Sequence, residues 1–381
     1  MHESLRVSTW QIARWCWSIG LFAASLALGD EFPSTSKFLK DGKFVPIEVD
    51  GTEICRFGEP GYERVRSVAV SPDGKRLAWA ASAKNKARGT DVMLWDIQRK
   101  AVVKRLSGGR GSFISCIAFT ADGKTIVADI GHRQSPFDEI RVWRVEDGRL
   151  LSTIKTKLRV SQMAFAPNRI YLAGDGLQCL SWPSGEELKT ITPRSPSRQL
   201  SLSNDGNTLA VLGFNKETKQ YPVTVWDVRN NQKKYEIDDP GDALLVPKIA
   251  FSPDGKSLAV RLRRRVRLYA TDTGKMKCVF SQGCFPYLSA LVFSPDGRTI
   301  ATGSAARGFV SMGFLQLWDA ETGRAITNRC WSRFLVFGLA FSVDGKSLAV
   351  GGYGFKPKEE GVGIEGHAEI RQFDVDKLLA E

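Results

Sequence analysis

The chain has 381 residues, of which 43% are hydrophobic and 25% are charged, and its formal net charge is +13. These values are ordinary for a soluble globular protein, and they exclude collagen, a coiled coil and wholesale disorder. The 36 Gly, 16 Pro, 21 Phe and 10 Trp favour many tight turns between aromatic-rich strands over a few long helices. Only 3 His are present, so a cluster of imidazole ligands is disfavoured, and we expect neither a metal site nor a cofactor.

Residues 1–29 have the pattern of an export signal. Arg14 precedes an uncharged stretch over residues 15–29, in which Ala27 and Gly29 supply the small residues of a cleavage site. We therefore predict a signal peptide and an exported protein, periplasmic or extracellular. The alternative is an uncleaved segment that anchors the chain in a membrane, although a spanning helix needs about 20 apolar residues and this run is shorter.

A five-residue motif recurs along the chain and has the residues of a tight turn. The commonest residue at each position gives Phe-Ser-Pro-Asp-Gly, with proline at the second position of a type I turn and glycine where a positive φ returns the chain as a hairpin. Its copies begin at Val70, Phe119, Phe165, Leu202, Phe251, Phe293 and Phe341.

Each copy of the turn motif lies within a longer repeat that contains four apolar runs, one before the turn and three after it. Apolar runs precede and follow the turn, and a third run ends in an aromatic residue that is usually followed by Asp, as in Trp95-Asp96. A second turn and a fourth apolar run complete the repeat. Four antiparallel strands per repeat predict one propeller blade.

Through the Phe-Ser-Pro-Asp-Gly turn and the Trp-Asp dipeptide, residues 52–375 resemble the WD40 repeat β-propeller family. The resemblance implies an all-β fold, a seven-bladed β-propeller of four-stranded antiparallel blades. The seventh repeat lacks room for its fourth strand, so we expect residues 52–57 to complete it and to close the ring. This leaves a lead-in segment at residues 30–51 and a short C-terminal tail at residues 376–381.

The sequence departs from the family in two places. The usual Gly-His before the first strand of each repeat is absent, and the third repeat is degenerate, with Asn168-Arg169 in place of Asp-Gly. After signal removal, an even number of cysteines remains in a compartment that permits disulfides. Strand-like surroundings favour free buried thiols for most of them, whereas a bridge between Cys284 and Cys330 stays open because they fall in corresponding loops of adjacent repeats.

In a WD40-type blade, the loop between strands two and three and the connection after strand four open on the same face of the disc, here named the loop face. Formal charges in these segments sum to about +13, so nearly the whole net charge of +13 is predicted to lie there. Arginine and aromatic residues are the types that anchor interfaces. The candidate partner-binding residues on this face are Arg159, Arg198, Arg263, Arg264, Arg265, Arg333, Phe113, Tyr287, Trp331 and Phe334.

Two classes of function remain open from the sequence. The resemblance implies a non-enzymatic interaction scaffold, whose basic face would bind a protein or an anionic envelope polymer. A cationic surface without a dedicated partner is the plainer interpretation of the same charge. Nucleic acid is disfavoured because the chain is predicted to be exported and has no recognition helix, and no membrane span is expected after signal cleavage. The alternative class is a propeller enzyme of lactonase or other hydrolase type with residues at the central channel, although no catalytic motif is present.

Overall fold

The computed structural model divides the chain into two compact units, Met1–Ile47 and Glu48–Glu381. Its described residues are 39–40, 43–44, 53–58, 62–85, 87–188, 197–215, 217–218, 220–237, 248–262, 265–281, 288–306, 312–332, 334–357 and 364–380. In the first unit, strands Leu39–Lys40 and Lys43–Phe44 pair antiparallel. The predicted signal at residues 1–29 lies outside the described residues, so export stays a prediction.

The second unit consists of seven small antiparallel sheets. The first strands of the third to seventh sheets contact one another in order, and the first strand of the first sheet contacts those of the seventh and second sheets. Between the second and third sheets, the second strand of the former contacts the first strand of the latter. The sheets are therefore the blades of a closed ring. This confirms the prediction of an all-β, seven-bladed β-propeller.

Blades 1 to 3 differ in how complete their sheets are. Blade 1 has the strands Tyr62–Val70, Arg76–Ala83, Thr90–Asp96 and Ala101–Ser107. Blade 2 has a first strand in two pieces, followed by three more: Ser112–Phe113 with Ile117–Phe119, then Thr125–His132, Glu139–Arg144 and Leu150–Lys155. In blade 3 the described strands are Val160–Ala166, Arg169–Gly174 and Leu177–Ser181, with a single bridge between Leu180 and Glu187 beyond them. The degenerate third repeat thus corresponds to the sheet with the fewest described strands.

Blades 4 to 6 each have four strands in sequential order. Those of blade 4 are Ser197–Leu202, Thr208–Gly213, Val223–Asp227 and Gln232–Ile237. Those of blade 5 are Lys248–Phe251, Ser257–Leu262, Arg265–Ala270 and Met276–Ser281. Those of blade 6 are Leu288–Phe293, Thr299–Ala306, Met312–Asp319 and Ala325–Ser332.

Blade 7 joins the two ends of the propeller. Its strands Phe334–Phe341, Ser347–Pro357 and Ile364–Asp374 come from the end of the chain, and Glu53–Gly58 pairs antiparallel with the last of these. The predicted closure by an N-terminal strand is confirmed. After the last strand, a short helix Val375–Leu379 is capped by Asp374 and contributes buried residues to the core of the last two blades.

The repeated turn is held by its serine and aspartate as well as by proline and glycine. In blade 1, the Ser71 hydroxyl donates to Asp73 Oδ1 at 2.6 Å and accepts the N–H of Arg76 at 2.9 Å. Gly74 has a φ of +69°, as the turn requires. The same serine or threonine to aspartate bond recurs in blades 2, 4, 5, 6 and 7.

The Trp-Asp dipeptide performs two tasks that are visible in blade 6. Trp318 is buried, donates its indole N–H to Thr302 Oγ1 at 2.9 Å, and stacks on Phe280 of blade 5 with ring centroids 5.8 Å apart. Asp319 accepts the N–H of Thr322 at 2.7 Å and so caps the turn into the fourth strand. The tryptophan therefore packs blade against blade, and the aspartate closes the hairpin.

Hydrogen bonds between neighbouring first strands tie the inner ring together. The Ser67 hydroxyl of blade 1 accepts the N–H of Ile117 in blade 2 at 3.2 Å. The Ser201 hydroxyl of blade 4 accepts the N–H of Phe251 in blade 5 at 3.0 Å. These bonds give the ring a fixed framework from which the loops project.

Candidate anion-binding site on the loop face

The two classes of loop that define the loop face contact each other. In blade 1, the N–H of Gly108 after the fourth strand donates to the carbonyl of Thr90, where the third strand begins, at 3.1 Å. In blade 2, the N–H of Asp138 donates to the carbonyl of Leu158 at 3.1 Å in the same way. The loop between strands two and three and the connection out of the blade therefore lie on one side of the ring in both blades.

A cavity of 260 Å³ opens between blades 1 and 2 on this side. Three arginines and one aromatic residue lie in its lining, beside small and hydroxyl-bearing residues. The lining residues are Arg64, Arg66, Ser82, Ala83, Gly89, Thr90, Gly111, Ser112, Phe113 and Arg133. None of these carries a carboxylate, so the described lining has only positive formal charge.

Arg64 and Arg66 enter the cavity from the first strand of blade 1. The Arg64 guanidinium lies 5.7 Å from the ring centroids of both Phe337 and Tyr353 in blade 7, and its Nε atom is buried without a hydrogen-bond partner. The Arg66 side chain is exposed at the mouth, yet the cavity walls partly desolvate it, and this lowers its pKa. The neighbouring positive charge of Arg64 lowers the pKa further, while Asp129 opposes both effects.

A β-bulge places Arg66 at the mouth. The register between the first two strands of blade 1 shifts between Val65 and Ser67, so Arg66 has no partner residue opposite it. A bulge re-aims the side chain of the extra residue. The same shift occurs in five blades, at the residue four positions before the turn motif: Arg66, Ser161, Arg198, Ser289 and Phe337.

Arg133 and Phe113 form the blade 2 side of the cavity. Arg133 is exposed in the loop of residues 131–138. Arg159 supports this loop, because its guanidinium donates to the carbonyls of His132, at 3.3 Å, and Ser135, and lies 5.5 Å from the Phe113 ring centroid. Arg159 was a sequence candidate for contacting a partner, and the structure instead shows it half-buried and engaged with its own chain.

A buried carboxylate lies behind the cavity. Asp129 is fully buried and accepts the N–H groups of Ser115, at 3.0 Å, and Cys116, at 2.6 Å, where the first strand of blade 2 is interrupted. Burial raises the pKa of Asp129 to about 7, against the effect of these hydrogen bonds, and Asp138 raises it further. The bonds to Asp129 fix the segment that follows Phe113.

Two of the sequence candidates are core residues, and their assignment to the surface was wrong. Trp331 is 5% exposed and Phe334 is 0% exposed. Both belong to strands that extend further than the apolar pattern indicated, so their side chains point into the packing between blades 6 and 7. Trp331 stacks on Phe373 at 5.4 Å, and Phe334 lies 4.3 Å from the guanidinium of the buried Arg371.

The remaining candidates are only partly described. Arg265 is exposed at the start of the third strand of blade 5. Arg198 lies in the first strand of blade 4, but its side chain is outside the described part. Arg263, Arg264, Tyr287 and Arg333 lie outside the described residues. Among the candidates that the structure describes, it brings together Phe113, which lines the cavity, and Arg159, which lies over the Phe113 ring.

Sequence reasoning missed Arg64, Arg66 and Arg133. The first two were counted in a connection whose acidic residues cancel their charge, whereas the structure places them in the strand Tyr62–Val70. The constant offset of the bulge from the turn motif is a sequence signal that marks Arg66. Arg133 was counted in a loop of zero net charge, and only the fold shows that Arg133 is exposed while Asp138 is buried and accepts the N–H of Val160 at 2.7 Å.

Metal and thiol chemistry have little presence in the described part of the chain. It contains no group of three or more acidic, histidine or cysteine side chains that could hold a metal ion. Cys116, Cys179, Cys278 and Cys330 are free thiols, and burial raises the pKa of Cys330 to about 12. Cys284, the other member of the bridge left open by the sequence, lies outside the described residues.

Within the described part of the chain, no helix is long and apolar enough to span a membrane.

Comparison with known proteins gives similarity to WD-repeat proteins over part of the chain. No protein-family model matches it. It is 25% identical over 218 residues to a putative BTB/POZ domain and WD-repeat protein of Acanthamoeba polyphaga mimivirus. The aligned region covers 55% of this chain and 36% of the viral protein. It is 30% identical over 129 residues to Protein NEDD1 of Mus musculus. This aligned region covers 34% of this chain and 19% of that protein.

The fold and the similarity together define the class of protein. Seven antiparallel blades, closed by an N-terminal strand and built on the turn and Trp-Asp motifs, make the chain a WD40-like β-propeller. The chain spans about a third of the viral relative and about a fifth of the mouse relative. What those whole proteins do is therefore not transferred to this chain by the similarity.

Proposed function

We propose that this chain is a non-enzymatic interaction scaffold, exported from the cytoplasm, that binds an acidic segment of a partner protein through its loop face. The observation that carries the proposal is the cavity between blades 1 and 2, which three arginines line and no carboxylate does among its described residues. Similarity to a WD-repeat protein supports a protein as the class of partner. Export rests on the sequence pattern of residues 1–29 alone.

The architecture supports a scaffold because it holds the loops on a fixed ring. Hydrogen bonds join neighbouring first strands, and the N-terminal strand pairs with the last strand of blade 7. The described loops project from this framework and can contact a partner. The alternative of a hydrolase lacks a specific observation in its favour. The described lining of the cavity contains guanidinium, hydroxyl and aromatic groups but no side chain suited to be a general base near neutral pH.

The charge of the loop face would act before contact is made. Clefts lined by one sign of charge raise the rate of encounter with ligands of opposite sign. Salt screens exposed charges over about 8 to 10 Å at ordinary ionic strength, so this attraction should weaken steeply with added salt. Binding by the loop face is therefore expected to be fast and sensitive to salt.

A matched pair of charge-reversal variants tests the proposal. Both variants change only exposed side chains, so folding should change little. The loop-face variant carries Arg66→Glu, Arg110→Glu and Arg133→Glu. The control variant alters the turns on the opposite side of the ring and carries Lys75→Glu, Lys124→Glu and Lys256→Glu. The probe is immobilised poly-L-glutamate, with heparin as a second, polysaccharide probe, and association rates are measured at several salt concentrations.

The proposal predicts that the loop-face variant associates with poly-L-glutamate far more slowly than the wild type, while the control variant stays close to the wild type. Equal losses in the two variants would mean that only total charge matters, and the directed face would be wrong. Unchanged binding in both variants would mean that the loop face is a solvated cationic surface without a dedicated partner. Binding of heparin without binding of poly-L-glutamate would replace the protein partner by an anionic polymer.

A further inference from the structure

We infer that the cavity between blades 1 and 2 is a binding site for a phosphate monoester group, held by Arg64, Arg66 and Arg133. The inference rests on the proposed function only in placing a ligand on the loop face. It adds one defined pocket and one chemical class of ligand. Its support comes from the charge, the geometry and the walls of that pocket.

The arginines of the cavity keep their hydrogen-bonding capacity for a ligand. Each guanidinium presents five N–H donors in a planar fork and stays charged. Among the described residues, Arg64, Arg66 and Arg133 make no ion pair with a carboxylate, and the Nε atom of Arg64 is buried without a partner. Like charges held close together in a partly desolvated space are unfavourable until an anion joins them.

Two carboxylates of described residues near the cavity, those of Asp91 and Asp129, are used elsewhere. Asp91, next to the lining residue Thr90, accepts a hydrogen bond from the hydroxyl of the buried Tyr62. Asp129 is turned towards the backbone N–H groups of Ser115 and Cys116. Among the described residues, neither carboxylate makes an ion pair with the three arginines, so the compensating anion is expected to come from outside.

The number and direction of the donors favour a phosphoryl group over a carboxylate. Arg64 and Arg66 approach from blade 1 and Arg133 approaches from blade 2. A phosphate monoester carries about −1.5 to −2 charges at pH 7 and three acceptor oxygens, so it can be bonded from several directions at once. A carboxylate carries one charge and two oxygens in a plane, and it would leave part of this donor set unsatisfied.

The size and the wall of the cavity indicate that the phosphoryl group is attached to a carrier. At about 30 Å³ per molecule of water, a cavity of 260 Å³ holds about nine waters, which is more space than one phosphoryl group fills. Phe113 forms a fixed apolar wall, because Arg159 lies over its ring and the backbone of Gly131 lies against its edge. A Cβ atom at Gly131 would lie 2.2 Å from the Phe113 ring, so the contact requires glycine.

The test is calorimetric titration of the full chain with phenyl phosphate, with benzoate and phenyl sulfate as singly charged probes. The variants are Arg66→Gln and Arg133→Gln, both at exposed positions, and the control is Lys124→Gln on the opposite side of the ring. We expect phenyl phosphate to bind tightest and each arginine variant to weaken it about tenfold or more, since a charged hydrogen bond is lost. Binding of phenyl phosphate should also weaken between pH 7.5 and pH 5, because its second pKa is about 6, while binding of phenyl sulfate should not.

Equal binding of benzoate and phenyl phosphate, or an equal loss in the Lys124→Gln control, would overturn the inference. Poly-L-glutamate binding without phenyl phosphate binding would overturn it and leave the proposed function standing, whereas the reverse result would support the pocket and reject the acidic protein segment. Two further titrations separate the sources of the group. Tighter binding of a phosphotyrosine peptide than of inorganic phosphate supports a protein source, and tighter binding of glucose 1-phosphate supports a sugar phosphate.

Discussion

The buried carboxylate of Asp129 makes a strong prediction about stability and pH. Its pKa is raised from an ordinary 3.8 to about 7, chiefly because burial disfavours the charged form. The unfolded chain has the ordinary value, so the folded state binds a proton more tightly. Its stabilising effect is complete below about pH 4 and is lost as the pH rises through 7. The perturbation that tests this is Asp129→Asn, which cannot titrate.

The expected magnitude follows from the two pKa values. A difference of about three units corresponds to about 4 kcal/mol, at about 1.4 kcal/mol per unit. Relative to the wild type, the free energy of unfolding of Asp129→Asn should therefore increase by up to about 4 kcal/mol between pH 4 and pH 8. Any cost of fitting the amide against the N–H groups of Ser115 and Cys116 would be a constant offset at every pH.

The assay is urea unfolding of both proteins by tryptophan fluorescence at several pH values between 4 and 8. The control is Asp122→Asn in the exposed turn of blade 2, where the Thr120 hydroxyl and the Lys124 N–H lower the pKa of the carboxylate. The stabilisation that comes with a lowered pKa is lost only as the pH falls below about 4. The free energy of unfolding of the control should therefore differ from that of the wild type by a constant amount over this range. A flat difference for Asp129→Asn as well would refute the reasoning from burial.

Further predictions concern closure, packing and export. Deletion of residues 1–57 should destabilise the chain by several kcal/mol or cause aggregation, because it exposes an edge of blade 7, whereas deletion of residues 1–36 should change urea unfolding little. Trp331→Ala should lower the free energy of unfolding by about 3 to 5 kcal/mol, while Phe137→Ala, at a side chain that is 48% exposed, should change it by well under 1 kcal/mol. Sequencing the N-terminus of exported protein should find Asp30, and an intact residue 1 would contradict the cleavage site.

The fold could be predicted because its signals are local and repeated. In six of the seven repeats the turn has a glycine with positive φ and a serine–aspartate or threonine–aspartate bond, so the motif itself encodes a hairpin. The missing fourth strand of the last repeat then required a partner, and Glu53–Gly58 provides it. The degenerate third repeat corresponds to the sheet with the fewest described strands.

The site was harder to predict because it depends on contacts between blades. A bulge shifts the face on which a residue lies without any change in the apolar pattern, and this moved Arg66 to the mouth of the cavity. The strand Ala325–Ser332 runs further than its sequence indicated because Trp331 packs on blade 7. The net charge of a loop also does not show which of its charged side chains is exposed. In the loop of residues 131–138, Arg133 is exposed, whereas Asp138 is buried and accepts the N–H of Val160.

Backbone hydrogen exchange with and without poly-L-glutamate is the most direct test of the claim that the loop face binds the partner. The account predicts slower exchange at residues 108–111 and 131–138, which border the arginine-lined cavity, and no change at the turns of residues 72–75 and 121–124 on the opposite side. Protection of the turns, or equal protection of both sides, would contradict it.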